Sequence, residues 1–134
     1  MKTAVIEKRS KARTDLINEL NFQFDRTNVY AFRDLINLYD EFANSPLDVI
    51  LLSLDEMDVP QQMANIQFAT KCWPLAKVVV MRETFNRTIT PRYFRTGASG
   101  YLPAKSVGEE LGECMKVVSA GMRYIPTELL VKLL

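Results

Sequence analysis

Two almost uninterrupted apolar runs, DVILLSL at 48–54 and KVVVM at 77–81, most constrain the fold. A strand with one wet face alternates apolar and polar residues. A strand that is apolar on both faces must be covered on both, as in a parallel sheet between helical layers. Three weaker runs share the spacing: TAVIE at 3–7, NVYAF at 28–32 and GYLPA at 100–104. Helical patterns fill the gaps. KARTDLINEL carries Ala12, Leu16, Ile17 and Leu20 on one face, RDLINLYDEF carries Leu35, Tyr39 and Phe42, and VPQQMANIQFATKCW carries Val59, Met63, Ile66 and Ala69. TPRYFRTGA predicts a short polar helix ended by Gly97. Ser106 and Glu109 have capping-box spacing, followed by an apolar stripe of Val107, Leu111, Cys114, Met115 and Val118 and a stop at Gly121. In the tail RYIPTELLVKLL, Pro126 suits the first turn of another short helix.

Strands alternating with helices predict an α/β domain of five parallel strands with right-handed crossovers. A length of 134 residues suits one domain, with 1–122 as its body and 123–134 as a tail.

Absences narrow the chemistry. The chain has no histidine, which removes Ser–His and Cys–His pairs and the usual general base near neutral pH. All five glycines lie at or after Gly97, so no phosphate-cradling glycine loop precedes them. Cys72 and Cys114 lack metal-ligand spacing and read as buried free thiols. No enzyme, cofactor or metal is expected on these grounds. Net charge is +1 and no basic stripe occurs, so this stretch is not expected to read DNA. No apolar run would span a bilayer, and MKTAVIEKRSKAR lacks a signal-peptide core, so a cytoplasmic protein without membrane contacts is expected.

In open α/β sheets, ligands bind beyond the carboxyl ends of the strands, where strand order reverses. For the order 2-1-3-4-5, that point lies between the first and third strands. The residues there are Glu7, Lys8 and Arg9, then Ser53, Asp55 and Glu56; Arg82 follows the fourth run, and Ala104 and Lys105 follow the fifth.

GASGYLP, the following EEL and AGMRYIPTELL give the segment from Lys77 onward a close resemblance to the second half of a bacterial response-regulator receiver domain, of the subfamily joined to LuxR/NarL-type helix-turn-helix domains. DVILLSLDEMD resembles that family's third strand, and the likeness extends over the whole chain. It implies a doubly wound, flavodoxin-like (βα)5 fold of order 2-1-3-4-5 with a short C-terminal helix. It also implies a homodimer, and an output helix-turn-helix domain beyond the PTELLVKLL tail through which any DNA binding would act.

The family's chemical positions are altered. The resemblance places the phosphorylated aspartate at Ser53, the acidic magnesium pair at Glu7 and Lys8, a Thr or Ser at Arg82 and a lysine at Ala104, with Lys105 one residue late. Phosphoryl transfer to a carboxylate needs an anionic nucleophile and a divalent cation. Ser53 is a neutral alcohol. A unit charge such as that of Lys8, about 4 Å from a cation site at an effective dielectric of about 20, opposes binding by about 4 kcal/mol.

Three readings of this degenerate pocket follow. Its polar residues form a solvated rim; or Arg82 forms a permanent bridge to Glu7, Asp55 or Glu56; or Lys8, Arg9, Arg82 and Lys105 capture a small anionic ligand. Asp55 and Glu56 could also act as displaced carboxylates in a receiver that is still phosphorylated. The resemblance puts a signalling or dimer surface at Tyr93, Tyr101, Glu110, Glu113 and Lys116, although Trp73, Tyr93 and Phe94 read in themselves as packing aromatics. The expected function is a phosphorylation-independent regulatory domain of a transcriptional regulator that acts through protein contacts. The alternatives are sensing of an anionic ligand or nucleotide, and phosphorylation on the displaced carboxylates.

Overall fold

The computed structural model describes residues 1–24 and 28–134. Its elements run β1 (Lys2–Ile6), α1 (Ser10–Gln23), β2 (Asn28–Phe32), α2 (Leu35–Phe42), β3 (Val49–Ser53), α3 (Val59–Cys72), β4 (Lys77–Arg82), α4 (Thr90–Thr96), β5 (Gly100–Pro103), α5 (Val107–Ser119) and α6 (Thr127–Leu133). The five strands form one sheet in the order β2-β1-β3-β4-β5, and every pair is parallel. The predicted fold class and order hold.

Side-chain alternation along the strands divides the core into two layers. Val5, Leu51, Val79 and Leu102 face α1 and α5, packing on Leu16, Leu20, Leu111 and Met115. Ile6, Leu52, Val80 and Tyr101 face the other side, where α2, α3 and α4 supply Leu35, Leu38, Met63, Ile66 and Tyr93. All five residues of β3 are buried, which is why DVILLSL carries no polar alternation. Each such leucine or isoleucine contributes about 1.5–3 kcal/mol of burial.

Two local expectations are corrected. Ser106 makes no capping hydrogen bond, because Ala104–Ser106 form a 3-10 turn that runs directly into α5 and leave Ser106 outside the extended conformation a cap needs. The capping box lies instead at α3, where Asp58 accepts from the Gln61 amide and Gln61 accepts from the Asp58 amide. In α2, Leu38 rather than Tyr39 enters the core, and Tyr39 lies over the rings of Phe68 and Trp73.

The tail folds back on the domain. The Tyr124 amide donates to the Ser99 carbonyl and the Tyr101 amide to the Tyr124 carbonyl, each at 2.9 Å, while Leu129 is buried in the layer that holds Tyr93 and Tyr101. Among the described residues, no helix is long and apolar enough to cross a membrane.

Candidate functional site

The strand parities decide which rim residues meet. Glu7 continues the side of β1 that holds Val5, and Ser53 continues the side of β3 that holds Leu51, so both point toward α1 and α5. Glu7 is held in line by its amide, which donates to the Phe32 carbonyl at 3.0 Å, and it is only 4% exposed. The Ser53 hydroxyl beside it helps to lower its carboxyl.

Arg9 stands at the N-terminal boundary of α1 with an extended backbone, which lets its side chain fold back across the rim. Its Nη2 donates to Glu7 Oε1 at 2.9 Å and to Asp55 Oδ2 at 3.1 Å, and its Nη1 donates to Glu83 Oε1 at 2.7 Å. The Arg9 amide adds a bond to Glu7 Oε2 at 2.9 Å, and Asp55 Oδ1 accepts from the Glu83 amide at 2.9 Å. One guanidinium therefore joins the loops after β1, β3 and β4. Burial pushes the Glu7 carboxyl up, but the bonds from Arg9 and the Ser53 hydroxyl outweigh it and hold the group below its ordinary value. The Arg9 guanidinium is raised in turn, chiefly by its hydrogen bonds to Glu7 and Glu83.

The predicted bridge from Arg82 to Glu7, Asp55 or Glu56 is not formed. Arg82 shares the parity of Val78 and Val80, so it emerges over α3 and α4 instead of at the pocket's centre. Its Nη1 donates to the Tyr93 hydroxyl at 3.0 Å. That hydroxyl donates to Gln62 Oε1 at 2.5 Å, and Gln62 Nε2 donates to the Met57 carbonyl at 2.8 Å. Tyr93 and Tyr101 stack with ring centroids 6.3 Å apart, and both are wholly buried, Tyr93 as the packing reading expects. The Tyr101 hydroxyl donates to the Thr84 carbonyl at 3.2 Å, and burial pushes it up to about 12. Glu113 and Lys116 are exposed on α5, while Glu110 is partly covered and accepts from the Tyr124 hydroxyl.

Nor are the four cations of the expected anion site brought together. Arg9 is engaged by carboxylates and Arg82 by Tyr93; Lys8 and Lys105 are exposed and join no ion pair among the described residues. A cleft of about 250 Å³ opens between α1 and α5 over Glu7, Arg9, Ser53, Asp55 and Ala104. A second, of about 280 Å³, lies on the other side of the rim beside Lys8, Arg33 and Glu56. Sequence reasoning placed Arg9 on the rim but not as its bridge, and it missed Gln62, Glu83 and Thr84. An arginine two residues after a carboxylate that ends a buried strand was the available signal for Arg9. Gln62, inside an apolar helix face, gave none.

No protein-family model matches this chain, and no curated protein matches it. Solved structures do. The RcsB response regulator of Salmonella typhimurium superposes with a TM-score of 0.85 at 15% identity, over 99% of this chain and 66% of that one. The isolated receiver domain of RcsB from Salmonella enterica serovar Typhimurium gives 0.83 at 16% identity, over 99% and 98%. A LuxR family DNA-binding response regulator from Silicibacter pomeroyi gives 0.79 at 15% identity, over 96% and 98%. The fold is that of a response-regulator receiver domain. This chain spans about two thirds of the first of these regulators and nearly all of the isolated domain.

The rim does not fit the magnesium ion that such a fold implies. Magnesium needs carboxylate oxygens in near-octahedral array. Here Glu7 Oε1 and Asp55 Oδ2 both accept from the Arg9 guanidinium, and no group of three or more Asp, Glu, Cys or His among the described residues could hold a metal.

Proposed function

We propose that this chain is a receiver-fold regulatory domain of a transcriptional regulator that works without phosphoryl transfer and acts through protein contacts. The observation that carries this reading is the Arg9 guanidinium seated among Glu7, Asp55 and Glu83. It supplies permanently the positive charge that a metal would bring, and an always-protonated group cannot be titrated away or chelated. Beside it stands Ser53, an alcohol without a histidine to activate it. Asp55, the nearest substitute acceptor, has both oxygens engaged, Oδ1 by the Glu83 amide and Oδ2 by Arg9.

With the loop after β4 tied to Asp55 and Arg9, and Thr84 tied to Tyr101, the domain holds one arrangement without a covalent signal. Its output is association with a second copy. A solved RcsB structure, described as two RcsB dimers bound to two parallel DNAs, matches 99% of this chain and supports that reading by analogy of fold. DNA contact would come from a separate output domain, as this domain has no basic recognition helix.

Incubation with a small phosphodonor and magnesium, followed by intact mass, tests the proposal. An unmodified mass is expected; a stoichiometric phosphoryl adduct on Asp55 or any rim residue overturns it.

A further inference from the structure

The two edges of the sheet are finished differently. At β5 the outer edge is bridged by the chain itself, with Tyr124 pairing beside Gly100. At β2 no strand lies outside among the described residues. The ladder to β1 shows which β2 backbone groups are left over. The Asn28 amide donates to the Met1 carbonyl at 2.9 Å, and the Phe32 carbonyl accepts from the Glu7 amide at 3.0 Å. In a parallel ladder, alternate residues turn both backbone groups to the same neighbour. Asn28, Tyr30 and Phe32 therefore face β1, and the N–H and C=O of Val29 and Ala31 point outward.

Open edges in soluble proteins are usually blunted by a lysine, a proline or a bulge. NVYAF has none of these. It is uncharged, contains no proline and keeps an unbroken register with β1 from Asn28 to Phe32. What fits such an edge is a second copy of itself. A two-fold axis beside Tyr30 sets two β2 strands antiparallel, with Val29 of each opposite Ala31 of the other. The two N–H and two C=O groups that each copy turns outward then close into four hydrogen bonds, with none left over. Tyr30 meets its own copy at the closer, non-hydrogen-bonded position, where aromatic side chains pair well. The Phe42 ring, 4.6 Å from that of Tyr30, backs this position. Charge does not oppose the pairing. The cavity beside the edge is lined by Arg13 and Arg33 and by Asp40 and Glu41, so two copies meet without net repulsion.

We propose that the β2 edge is a self-association surface, and that two copies of this chain join there into one continuous sheet across a two-fold axis at Tyr30. The proposal rests on the reading that this domain acts by associating with a second copy, and it names the surface.

Hydrogen exchange and sedimentation of the whole chain over a dilution series test it. A dimer is expected at high concentration, with the Val29 and Ala31 amides protected. Their exchange should quicken at least about tenfold on dilution to the monomer, while the Tyr30 amide, bonded to β1, keeps its protection. A monomer at every concentration overturns the surface together with the association it rests on. A dimer whose Val29 and Ala31 amides exchange as fast as in the monomer overturns the surface alone. Ala31→Pro removes one outward N–H from each copy and leaves the bonds to β1 in place. It should raise the dimer dissociation constant at least about tenfold, with amide protection at Val5 and Leu51 unchanged as the sign of an intact fold. An unchanged dissociation constant overturns the pairing; should the variant not fold, the native dilution series decides by itself.

Discussion

Replacing Arg9 with alanine leaves Glu7 as a buried carboxylate without its cation. Breaking a fully buried ion pair by removing one partner costs about 3–5 kcal/mol. The Glu7 side chain is 5% exposed and that of Asp55 13%, but the Arg9 side chain is 35% exposed, so solvent screens part of the interaction. About 2 kcal/mol of destabilisation at neutral pH follows after that discount. The pH dependence carries more information than the size. In the native protein the Glu7 carboxyl is held low, so its contribution is complete above the ordinary carboxylate range and is lost only as pH falls through the lowered value. Without Arg9, burial, already the largest single influence, is left mostly unopposed and the group rises above its unfolded value. The variant then gains by taking up a proton, and its deficit relative to the native protein should shrink as pH falls from above the ordinary carboxylate range to the lowered native value. Urea unfolding of both proteins at pH 7 and pH 4 measures this. Adding Glu7→Gln to the variant should recover part of the loss at pH 7, because no uncompensated charge remains. A deficit below about 0.5 kcal/mol, or one that stays constant with pH, would refute the account of Arg9 as a buried bridge.

Other consequences are simpler to read. Burial pushes the Cys114 thiol up to about 12, so at pH 8 a mild alkylating reagent should modify the half-buried Cys72 once and reach Cys114 only after denaturation, as mass spectrometry would show. Gly97 closes α4 with φ +129°, and an added Cβ would lie 2.8 Å from Thr70 Cγ2, so Gly97→Ala should lose about 1–3 kcal/mol in the same urea assay. Asp58→Ala removes one half of the α3 capping box and should cost about 1 kcal/mol, with the loss confined to folding stability.

The sheet was legible because burial on both faces leaves no choice of side-chain type: the apolar runs mark each strand to within about two residues, and the α5 stripe from Val107 to Val118 is buried residue for residue. The α2 face was misread because an eight-residue helix offers too few turns to distinguish Leu38 from Tyr39. At the rim, residue identities showed which positions differ from the resembled family, but not which arginine bridges them. Strand parity contained that answer: Arg82 follows Val78 and Val80 onto the α3 and α4 side, whereas Glu7 and Ser53 follow Val5 and Leu51 to the other. The reach of Arg9 depends on the bend at the start of α1, a backbone feature that residue types do not encode singly. Tyr93 read in itself as a packing aromatic, while the resemblance linked it and Tyr101 to signalling; parity and the packing of α4 bury both side chains.

The central claim is that Arg9 stands where a divalent cation would, and a magnesium titration followed by amide NMR shifts at residues 7–9, 53–56 and 83–84 tests it most directly. The native protein should show no saturable shift at millimolar magnesium, and Arg9→Ala, with its carboxylates freed, should show one. Saturable shifts at those residues in the native protein would contradict the account.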